Sequence, residues 1–442
     1  MQLVPTSHAL RHGLPIAGGA WPMLGHMPSV FRRLPAFHLE ARERHGPLYW
    51  VNVGFGNLQL MYSSPEAVGL FKSKAADSSY MRETASDLLG ESLIVMDGAP
   101  HTKVRGTLNP AFSQKGLATA NVGAIVGSVM ARHVGPWSDA PSVKVVPATR
   151  EIALDIIFQM LGIPTSDLSQ WRKAYEEFLF TAVNIPIDLP GFPKWRGRKA
   201  SQWLQGQLRT LVREARAKDA PSNMLERMAH ARDEDGALVD EQHLIDNIRL
   251  LALAGHETTA STMAWMAIHC AQEPRWWDAL VEEATRAGQP PASPMELRNF
   301  PVAESIFREA LRLHPPVAAD ARIVIGDLEL EGHAIPKGTI VGIPIVAILR
   351  DPDNFPDPHT FRPDRWHGKD RQTPLETLAF GSGPHFCLGY HVAWMEAVVF
   401  GVQLALTLSK AGKRLRAPAK VPERYVPFIQ PGPKIVLEIV PA

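Results

Sequence analysis

The chain has 442 residues, which is enough for two ordinary domains or for one large domain built around a cofactor. Lys and Arg total 46 against 45 Asp and Glu, and the formal charge of +1 excludes the strongly basic surface expected of a nucleic-acid-binding protein. The two cysteines, Cys270 and Cys387, exclude a disulfide framework and a cysteine-rich zinc site, and they are typical of a reducing, cytosolic compartment.

The N-terminal part of the sequence predicts short helices and one β-hairpin. Residues 1–25 contain neither the apolar region of a signal peptide nor a membrane span, which predicts a soluble protein. Residues 48–53 and 58–62 are apolar runs joined by a glycine-rich turn, as in a hairpin. Residues 68–218 are mainly helical in pattern, and the prolines and glycine of residues 186–193 predict a mobile connection between two helices.

The longest helical signal in the chain covers residues 242–272 and is stopped by Pro274. Its middle, residues 250–254, is apolar on every side, which predicts a central helix that is buried on all sides. Another helix is predicted over residues 302–313, because two prolines follow it directly.

The C-terminal third predicts short strands and one further helix. Residues 322–330 and 339–345 have the composition of strands, and residues 425–440 are typical of a hairpin. Residues 390–409 are mostly apolar, but Glu396 at their centre favours a buried core helix over a membrane span. Because helices dominate and the strands are small and late, the predicted fold class is mainly α with small β-sheets.

The strongest chemical signal is the cysteine within residues 380–389, FGSGPHFCLG. A thiolate that holds iron needs close backbone approach, donors to the sulfur and a shielded surrounding, which the flanking glycines and Phe380 can supply. The alternative is that Cys387 is an inert buried residue. Its position at the head of the helix predicted over residues 390–409 exposes the thiol to the positive end of the helix dipole, which predicts a lowered pKa.

The pattern Phe380-x-x-Gly383-x-x-x-Cys387-x-Gly389, followed by Ala393 and Glu396, resembles the haem-binding signature of the cytochrome P450 superfamily. Four further segments resemble family motifs in the family's order, beginning with a weakly specific proline–glycine lead-in at residues 18–25. The resemblance implies a cytochrome P450 fold in one domain over residues 1–442. In that fold a β-rich part of about residues 1–70 and the late sheets pack on a helical body.

The resemblance also implies that haem b lies between the long central helix and the cysteine loop, with Cys387 as the iron ligand. The further residues implied in contact with the cofactor are Ala254, Phe380, Gly381 and Gly389.

A second motif lies in the predicted central helix, where residues 254–259, AGHETT, resemble the family's oxygen-activation motif. Gly255 costs about 1 kcal/mol relative to alanine in a helix interior, so an ordinary helix would not select it. The resemblance implies that Glu257 and Thr258 form the acid–alcohol pair that relays protons, since an alcohol can donate and accept while a carboxylate recruits water. The alternative for Thr258 is a hydroxyl that bonds back to a helix carbonyl.

A third motif is Glu309-x-x-Arg312, which places two opposite charges one turn apart on one helix face. Alone, this is a common surface pair of little value. Together with Arg365 in the sequence FRPDRW it resembles the family's buried ion network, which implies structural support behind the haem-ligand loop.

The remaining motif is a set of cationic residues around residues 97–105. His101 and Arg105 are four residues apart and face one way on a helix. The resemblance implies that these two, with Arg322 and His385, bind the haem propionates, because buried carboxylates require cationic donors. Each of the four taken alone is more typical of a solvated surface residue, and it is their joint placement that favours propionate binding.

The resemblance implies a haem-thiolate monooxygenase that inserts one oxygen atom of O2 into a steroid, terpenoid, fatty acid or polyketide. A separate ferredoxin- or flavodoxin-type donor supplies the electrons, since the chain has no flavin, nucleotide or iron–sulfur motif. The substrate would enter the pocket past residues 185–192, which would gate this entry. The residues expected to line the apolar pocket are Leu93, Ile94, Leu251, Val317, Ala318 and Phe428.

Two alternative functions stay open at this point. A haem-thiolate isomerase, dehydratase or peroxide-driven oxidase would share the ligand loop but would need no external electrons. A non-catalytic haem sensor would give no oxygen-dependent product.

Overall fold

The computed structural model describes residues 4–5, 13–163, 168–179, 188–367 and 373–442, with the side chains of residues 4–5 and 83–87 left aside. The described helices are α1 Met27–His45, α2 Tyr80–Leu89, α3 Gly98–Phe112, α4 Gln114–Thr119, α5 Val122–Val134, α6 Val145–Leu161, α7 Leu168–Phe178, α8 Pro193–Arg216, α9 Met224–His230, α10 Glu241–Gln272, α11 Pro274–Ala287, α12 Pro301–Leu313, α13 Ile345–Leu349 and α14 Tyr390–Lys410. The described strands are β1 Val4–Pro5, β2 Leu48–Asn52, β3 Asn57–Tyr62, β4 Ala76–Asp77, β5 Ser142–Lys144, β6 Asp320–Val324, β7 Leu328–Leu330, β8 His333–Ile335, β9 Ile340–Ile343, β10 Lys413–Arg416, β11 Glu423–Arg424, β12 Gln430–Pro431 and β13 Val436–Pro441.

Helices dominate the described chain, and the predicted class of a mainly α protein with small sheets is confirmed. The predicted mobile connection at residues 186–193 falls partly on residues 180–187, which lie outside the described residues. Its last residue, Pro193, begins α8. Proline suits this position because the first helical residue has no intrahelical use for an N–H group.

The largest sheet joins the N-terminal hairpin to the late strands. Its order is β1-β3-β9-β6-β4, with β2 paired to β3 in the predicted hairpin. β3 and β9 run parallel although Leu60 and its partner Val341 are 281 positions apart in the sequence. The N-terminal and late strands therefore share one sheet and one core cluster, which also contains Trp50, Ile343 and Leu378.

Two strand predictions are wrong in detail. The run at residues 322–330 is interrupted because the N–H groups of Ile325 and Gly326 both donate to the Ala75 carbonyl, which turns the chain between β6 and β7. The run at residues 339–345 ends earlier than predicted, since Ile345 already begins α13.

The predicted C-terminal hairpin over residues 425–440 is also wrong. β12 pairs with β11, whereas β13 pairs with β10 and with the distant strand β5. Pro431 and Pro433 lie between the two expected arms and lack the N–H groups that a ladder needs. Each arm therefore finds its hydrogen-bond partners elsewhere.

The central helix α10 is not buried on all sides, contrary to the prediction. Ala254 is exposed, and Leu251, Gly255 and Thr258 are partly exposed, whereas Leu253 between them is 3% exposed. These four accessible residues recur at helical spacing and form one strip along the helix, called here the α10 strip. The apolar composition of the strip follows from its need to pack against an apolar partner rather than against another element of the chain.

Helix α14 is the helix whose length and apolar composition would allow it to cross a membrane, among the described residues. Within its most apolar 18-residue window, 72% of the residues are buried inside the protein. Met395, Val398 and Phe400 have no exposed surface. The prediction of a buried core helix is confirmed.

A buried ion network ties α12 to residues 356–366. Glu309 has no exposed surface, and its carboxylate accepts hydrogen bonds from Arg312 Nη2 at 2.8 Å and Arg365 Nε at 3.0 Å. The indole Nε1 of Trp366 donates to the same carboxylate at 2.9 Å, a partner that sequence reasoning missed. Arg312 also donates to the carbonyl of Pro358, so the network closes the loop onto the helix.

We predict that Arg312→Gln lowers the free energy of unfolding by about 3 to 5 kcal/mol, because it removes the forked partner of a fully buried carboxylate. Denaturant unfolding of the purified protein measures the change. The matched control is Arg416→Gln, which breaks the exposed pair with Glu438 and is expected to cost less than about 1 kcal/mol. Equal effects of the two substitutions would contradict the structural role of the Glu309 network.

Candidate active site

The cysteine loop lies between a 3-10 turn at Gly383–His385 and the start of α14. The Cys387 N–H donates to the Phe380 carbonyl at 2.9 Å, which closes the loop upon itself. Gly383 has φ +65°, and a Cβ there would lie 2.3 Å from the Phe71 carbonyl oxygen. Only glycine fits this position, so the approach of the loop to residue 71 is built into the sequence.

Cys387 as a whole residue is partly exposed, and its thiol lies beside several groups that act on its protonation. Burial raises the pKa of the Cys387 thiol, while the Gly389 N–H and the Arg105 guanidinium act in the lowering direction. Burial prevails, so the lowered pKa expected from the helix dipole is wrong for the free thiol. A thiol that binds a metal ion is deprotonated by the metal itself.

Three of the four cationic residues predicted for the propionates meet at this loop. His101 and Arg105 lie one turn apart on α3. The His101 and His385 rings contact each other at a tilt of 38° with centroids 4.3 Å apart, and Arg105 Nη2 donates to the Phe386 carbonyl at 2.5 Å. His385 Nε2 lies 3.0 Å from the carboxylate of Asp97, a partner that orients its ring.

Arg322, the fourth cation, reaches the loop through an aromatic neighbour. Its side chain is 3% exposed, bonds Asp320 Oδ1 at 2.9 Å, and holds its guanidinium carbon 4.6 Å from the centre of the Phe71 ring. Phe71 is also the residue against which Gly383 packs. The ion pair with Asp320 was not predicted, although an acid two residues away on a strand faces the same side and is a readable signal.

The residues present fit a haem group. The Nε2 atom of His101 is buried and has no hydrogen-bond partner within the described chain, and burial lowers the pKa of His101 to about 4. A buried ring nitrogen of this kind needs a polar partner, which a propionate supplies. Cys387 offers the soft sulfur ligand that iron accepts, Arg105 and Arg322 offer charge, and the α10 strip offers an apolar surface.

Glu257 has a partner that the sequence did not indicate, whereas Thr258 has the local partner of the alternative interpretation. Glu257 is buried, and its carboxylate accepts a hydrogen bond from Arg150 Nη2 at 2.8 Å. Arg150 also donates to the Gln430 side-chain oxygen at 2.9 Å. The Thr258 hydroxyl donates to the Ala254 carbonyl, which is the back-bonded geometry that stood as the alternative interpretation. Arg150 is distant in sequence from both Glu257 and Gln430, so no local pattern could have found these contacts.

Of the six residues expected to line the pocket, four are at least partly exposed and two are buried. Val317 is 38% exposed, and Ile94, Leu251 and Phe428 are partly exposed. Leu93 and Ala318 are buried in apolar clusters and support the others from behind. The access segment 185–192 begins outside the described residues.

The pocket segments are bonded to one another around α10. The Leu93 N–H donates to Asn247 Oδ1 at 3.0 Å, which fixes the segment near residue 93 to the helix. The Ile429 N–H donates to the Pro316 carbonyl at 2.8 Å, and Ser261 Oγ donates to the Ile429 carbonyl at 2.6 Å. The turns at residues 317–318 and 426–429 therefore meet beside the central helix.

Comparison with known proteins gives consistent results. The family model described as Cytochrome P450 matches residues 15–410. Cytochrome P450 BJ-4 homolog of Sinorhizobium fredii is 38% identical over 428 residues, which is 96% of each chain. Cyclooctat-9-en-7-ol 5-monooxygenase of Streptomyces melanosporofaciens is 28% identical over 410 residues, which is 88% of each chain.

A solved structure has the same fold. Retinoic acid-bound cyanobacterial CYP120A1 aligns with a TM-score of 0.84 at 23% identity, and the match covers 97% of this chain and 100% of that chain. The fold expected from the sequence motifs, with small sheets on a helical body, is confirmed.

We predict that Cys387→Ala abolishes the strongly red-shifted Soret band of the ferrous carbonyl form, because alanine has no sulfur to ligate iron. Absorption spectra of the purified, haem-loaded protein measure the band. Cys270→Ala is the matched control, since Cys270 is buried away from the loop and its variant should keep the band. A retained band in Cys387→Ala would exclude this residue as the ligand.

Proposed function

This chain belongs to the cytochrome P450 family of haem b monooxygenases, and from that premise we propose that it inserts one oxygen atom of O2 into an apolar small molecule. The observation that carries the proposal is the gathering of the Cys387 thiol with His101, Arg105 and His385 at a single loop. A soft ligand beside several donors for carboxylates suits an iron porphyrin and little else.

We assign cofactor roles to the residues around that loop. Cys387 would ligate the haem iron, and His101, Arg105, Arg322 and His385 would donate to the propionates. When bound, haem b supplies the iron at which dioxygen is activated, and thiolate ligation favours cleavage of the O–O bond. The remaining residues assigned to contacts with the macrocycle are Ala254, Phe380, Gly381 and Gly389.

Glu257 and Thr258 are assigned to proton delivery. The Thr258 hydroxyl donates to the Ala254 carbonyl, and its oxygen lone pairs remain able to accept a proton from water. For Thr258 Oγ1 to donate toward the reacting oxygen, the hydroxyl must turn away from that carbonyl. The Glu257 carboxylate, held by Arg150, recruits the water that reprotonates Thr258.

The substrate is assigned to the apolar surface next to the α10 strip. Ile94, Leu251, Val317 and Phe428 would contact it, with Leu93 and Ala318 behind them. Apolar walls admit steroids, terpenoids, fatty acids or polyketides. Among these we favour a carbocycle with a single hydroxyl, because the curated relative from Streptomyces melanosporofaciens is named for cyclooctat-9-en-7-ol.

Membership of the family also supports proposals on the electron donor, the cellular location and the domain organisation. We propose that a separate ferredoxin- or flavodoxin-type protein supplies the electrons and that the enzyme works as a soluble protein in the cytoplasm. Both cysteines are unpaired, which suits a reducing compartment. We also propose one domain over residues 1–442, supported by the parallel pairing of β3 with β9.

We predict that the purified holoenzyme, supplied with a ferredoxin, its reductase and oxygen-18-labelled O2, places one labelled atom in each product molecule. Cyclooctat-9-en-7-ol is the first substrate to test. It enters the labelling experiment if it shifts the Soret band on binding. Mass spectrometry of the product measures the label. Unlabelled product, or product formed without reductant, would identify the isomerase, dehydratase or peroxide-driven alternative.

We predict that Thr258→Ala lowers the ratio of product formed to reductant consumed by roughly tenfold or more, with hydrogen peroxide released, because proton delivery loses its hydroxyl. Product and reductant are measured in the same reaction. Thr262→Ala is the matched control one turn along α10, since the buried Thr262 hydroxyl bonds back to the Thr258 carbonyl. Unchanged coupling in Thr258→Ala would remove Thr258 from the relay.

A further inference from the structure

A second group of buried titratable residues lies at the far end of α10, beyond Thr258. The His314 ring lies between α10 and the hairpin formed by β11 and β12. It stacks on Trp265 with ring centroids 3.6 Å apart, and its Nε2 atom is 2.8 Å from Nε2 of His269. Its other nitrogen, Nδ1, is bonded to the carboxylate of Glu423. The ring of His269 in turn stacks on Phe361.

The Glu423 carboxylate is the centre of this group. Arg350 donates to both of its oxygens, with Nη2 at 2.5 Å from Oε1 and Nη1 at 3.1 Å from Oε2. The Tyr425 hydroxyl donates to Oε2 at 3.0 Å. The side chains of His314, Arg350 and Glu423 are 10%, 10% and 13% exposed, so the charges are largely shielded from water.

The protonation states are set by these contacts. Burial raises the pKa of Glu423, but the hydrogen bond from His314 and the charge of Arg350 outweigh it and hold that pKa far below its ordinary value. Burial lowers the pKa of His314 to about 4, and burial with the neighbouring His314 lowers the pKa of His269. Glu423 is therefore ionised and both imidazoles are neutral at pH 7. In the neutral tautomer with its hydrogen on Nδ1, His314 donates to Glu423 and its Nε2 accepts from His269.

The hairpin that Glu423 begins is too short to hold its own position. β11 and β12 share only the pairs Glu423 with Pro431 and Arg424 with Gln430, and a two-stranded hairpin is at best marginally stable in water. Its placement must come from contacts outside it. The Glu423 carboxylate supplies them at the start of the hairpin, where Arg350 is itself anchored to the Leu313 carbonyl.

The other end of the same hairpin is bonded next to the oxygen-activation motif. Ser261 Oγ donates to the Ile429 carbonyl at 2.6 Å, and Ile429 has no exposed surface. The Gln430 side chain accepts from Arg150, the residue that holds Glu257. The turn at residues 426–429 is thus held at one end by the charged group around Glu423 and at the other end by Ser261 of α10.

We propose that Glu423 is a specificity-determining positioning residue, which sets where the turn at residues 426–429 stands against the central helix and so how large a ligand the pocket accepts. This inference rests on the proposed function only for the location of the pocket. Glu423 acts through the hairpin and touches neither cofactor nor substrate.

The test uses two azole ligands of the haem iron with purified holoenzyme. Imidazole is small and binds at the iron alone, whereas clotrimazole also fills the space that the turn borders. Glu423→Gln should weaken clotrimazole binding about tenfold, which corresponds to about 1.4 kcal/mol, and should leave imidazole affinity within about twofold. The Gln side chain directs an amide N–H₂ at Arg350 or His314, so one of these donors loses its partner.

Two further variants keep the test decisive. Arg424→Gln is the matched control, because Arg424 is the next residue on the same strand and is exposed, so the ratio of the two affinities should stay unchanged. Tyr425→Phe removes only the hydroxyl that bonds Glu423, and it should move the ratio in the same direction by a smaller factor. This variant decides the question if Glu423→Gln does not fold.

Two results would overturn the proposal. An unchanged ratio of clotrimazole to imidazole affinity in Glu423→Gln and Tyr425→Phe would show that the group does not control the turn. Equal weakening of both azoles, together with a lower melting temperature, would show a merely structural role. Azole binding requires haem but no substrate, electron donor or oxygen, so failure of the proposed monooxygenase function leaves this measurement intact.

Discussion

The central helix α10 is largely buried in the protein, and several of the segments expected to line the pocket are bonded directly to it. Asn247 holds the segment near Leu93, and Ser261 holds Ile429. Glu257 is joined to α6 through Arg150. A long helix can serve as this reference because its backbone hydrogen bonds are satisfied internally, so its shape does not depend on the segments that it holds. The position of each pocket segment is thereby defined relative to the same strip.

Buried charged groups fix the position of two segments that are farther along the chain, the loop that contains Trp366 and the start of the β11–β12 hairpin. Glu309 joins α12 to the loop that contains Trp366, and Glu423 joins α12 and α13 to the hairpin of β11 and β12. In both groups an arginine binds the carboxylate and also donates to backbone carbonyls, so it fixes the path of the chain as well as the charge. Such groups stabilise little in net terms, but breaking one member leaves an unpaired buried charge. They therefore select one arrangement of loops over others.

The sequence predicted the elements whose residues interact locally. The approximate bounds of the hairpin β2–β3 and of α10, α12 and α14 follow from periodicity and, for α10 and α12, from prolines placed just beyond the helix ends. Prediction from the sequence failed where the pairing of a strand depended on a partner that is distant in the chain. The arms of the expected C-terminal hairpin pair with strands β5, β10 and β11, and no local pattern distinguishes those partners from each other.

The sequence by itself determined the chemistry of the site, because Cys387, its glycines and the spaced cations are readable as a motif whatever surrounds them. Only the tertiary structure decided the state of those groups. Burial raises the pKa of the Cys387 thiol against the opposing effects of the Gly389 N–H and Arg105, and the Glu257 carboxylate is paired with Arg150. Desolvation and ion pairing depend on which atoms lie within a few ångströms, and residues separated by a hundred or more positions supply those atoms.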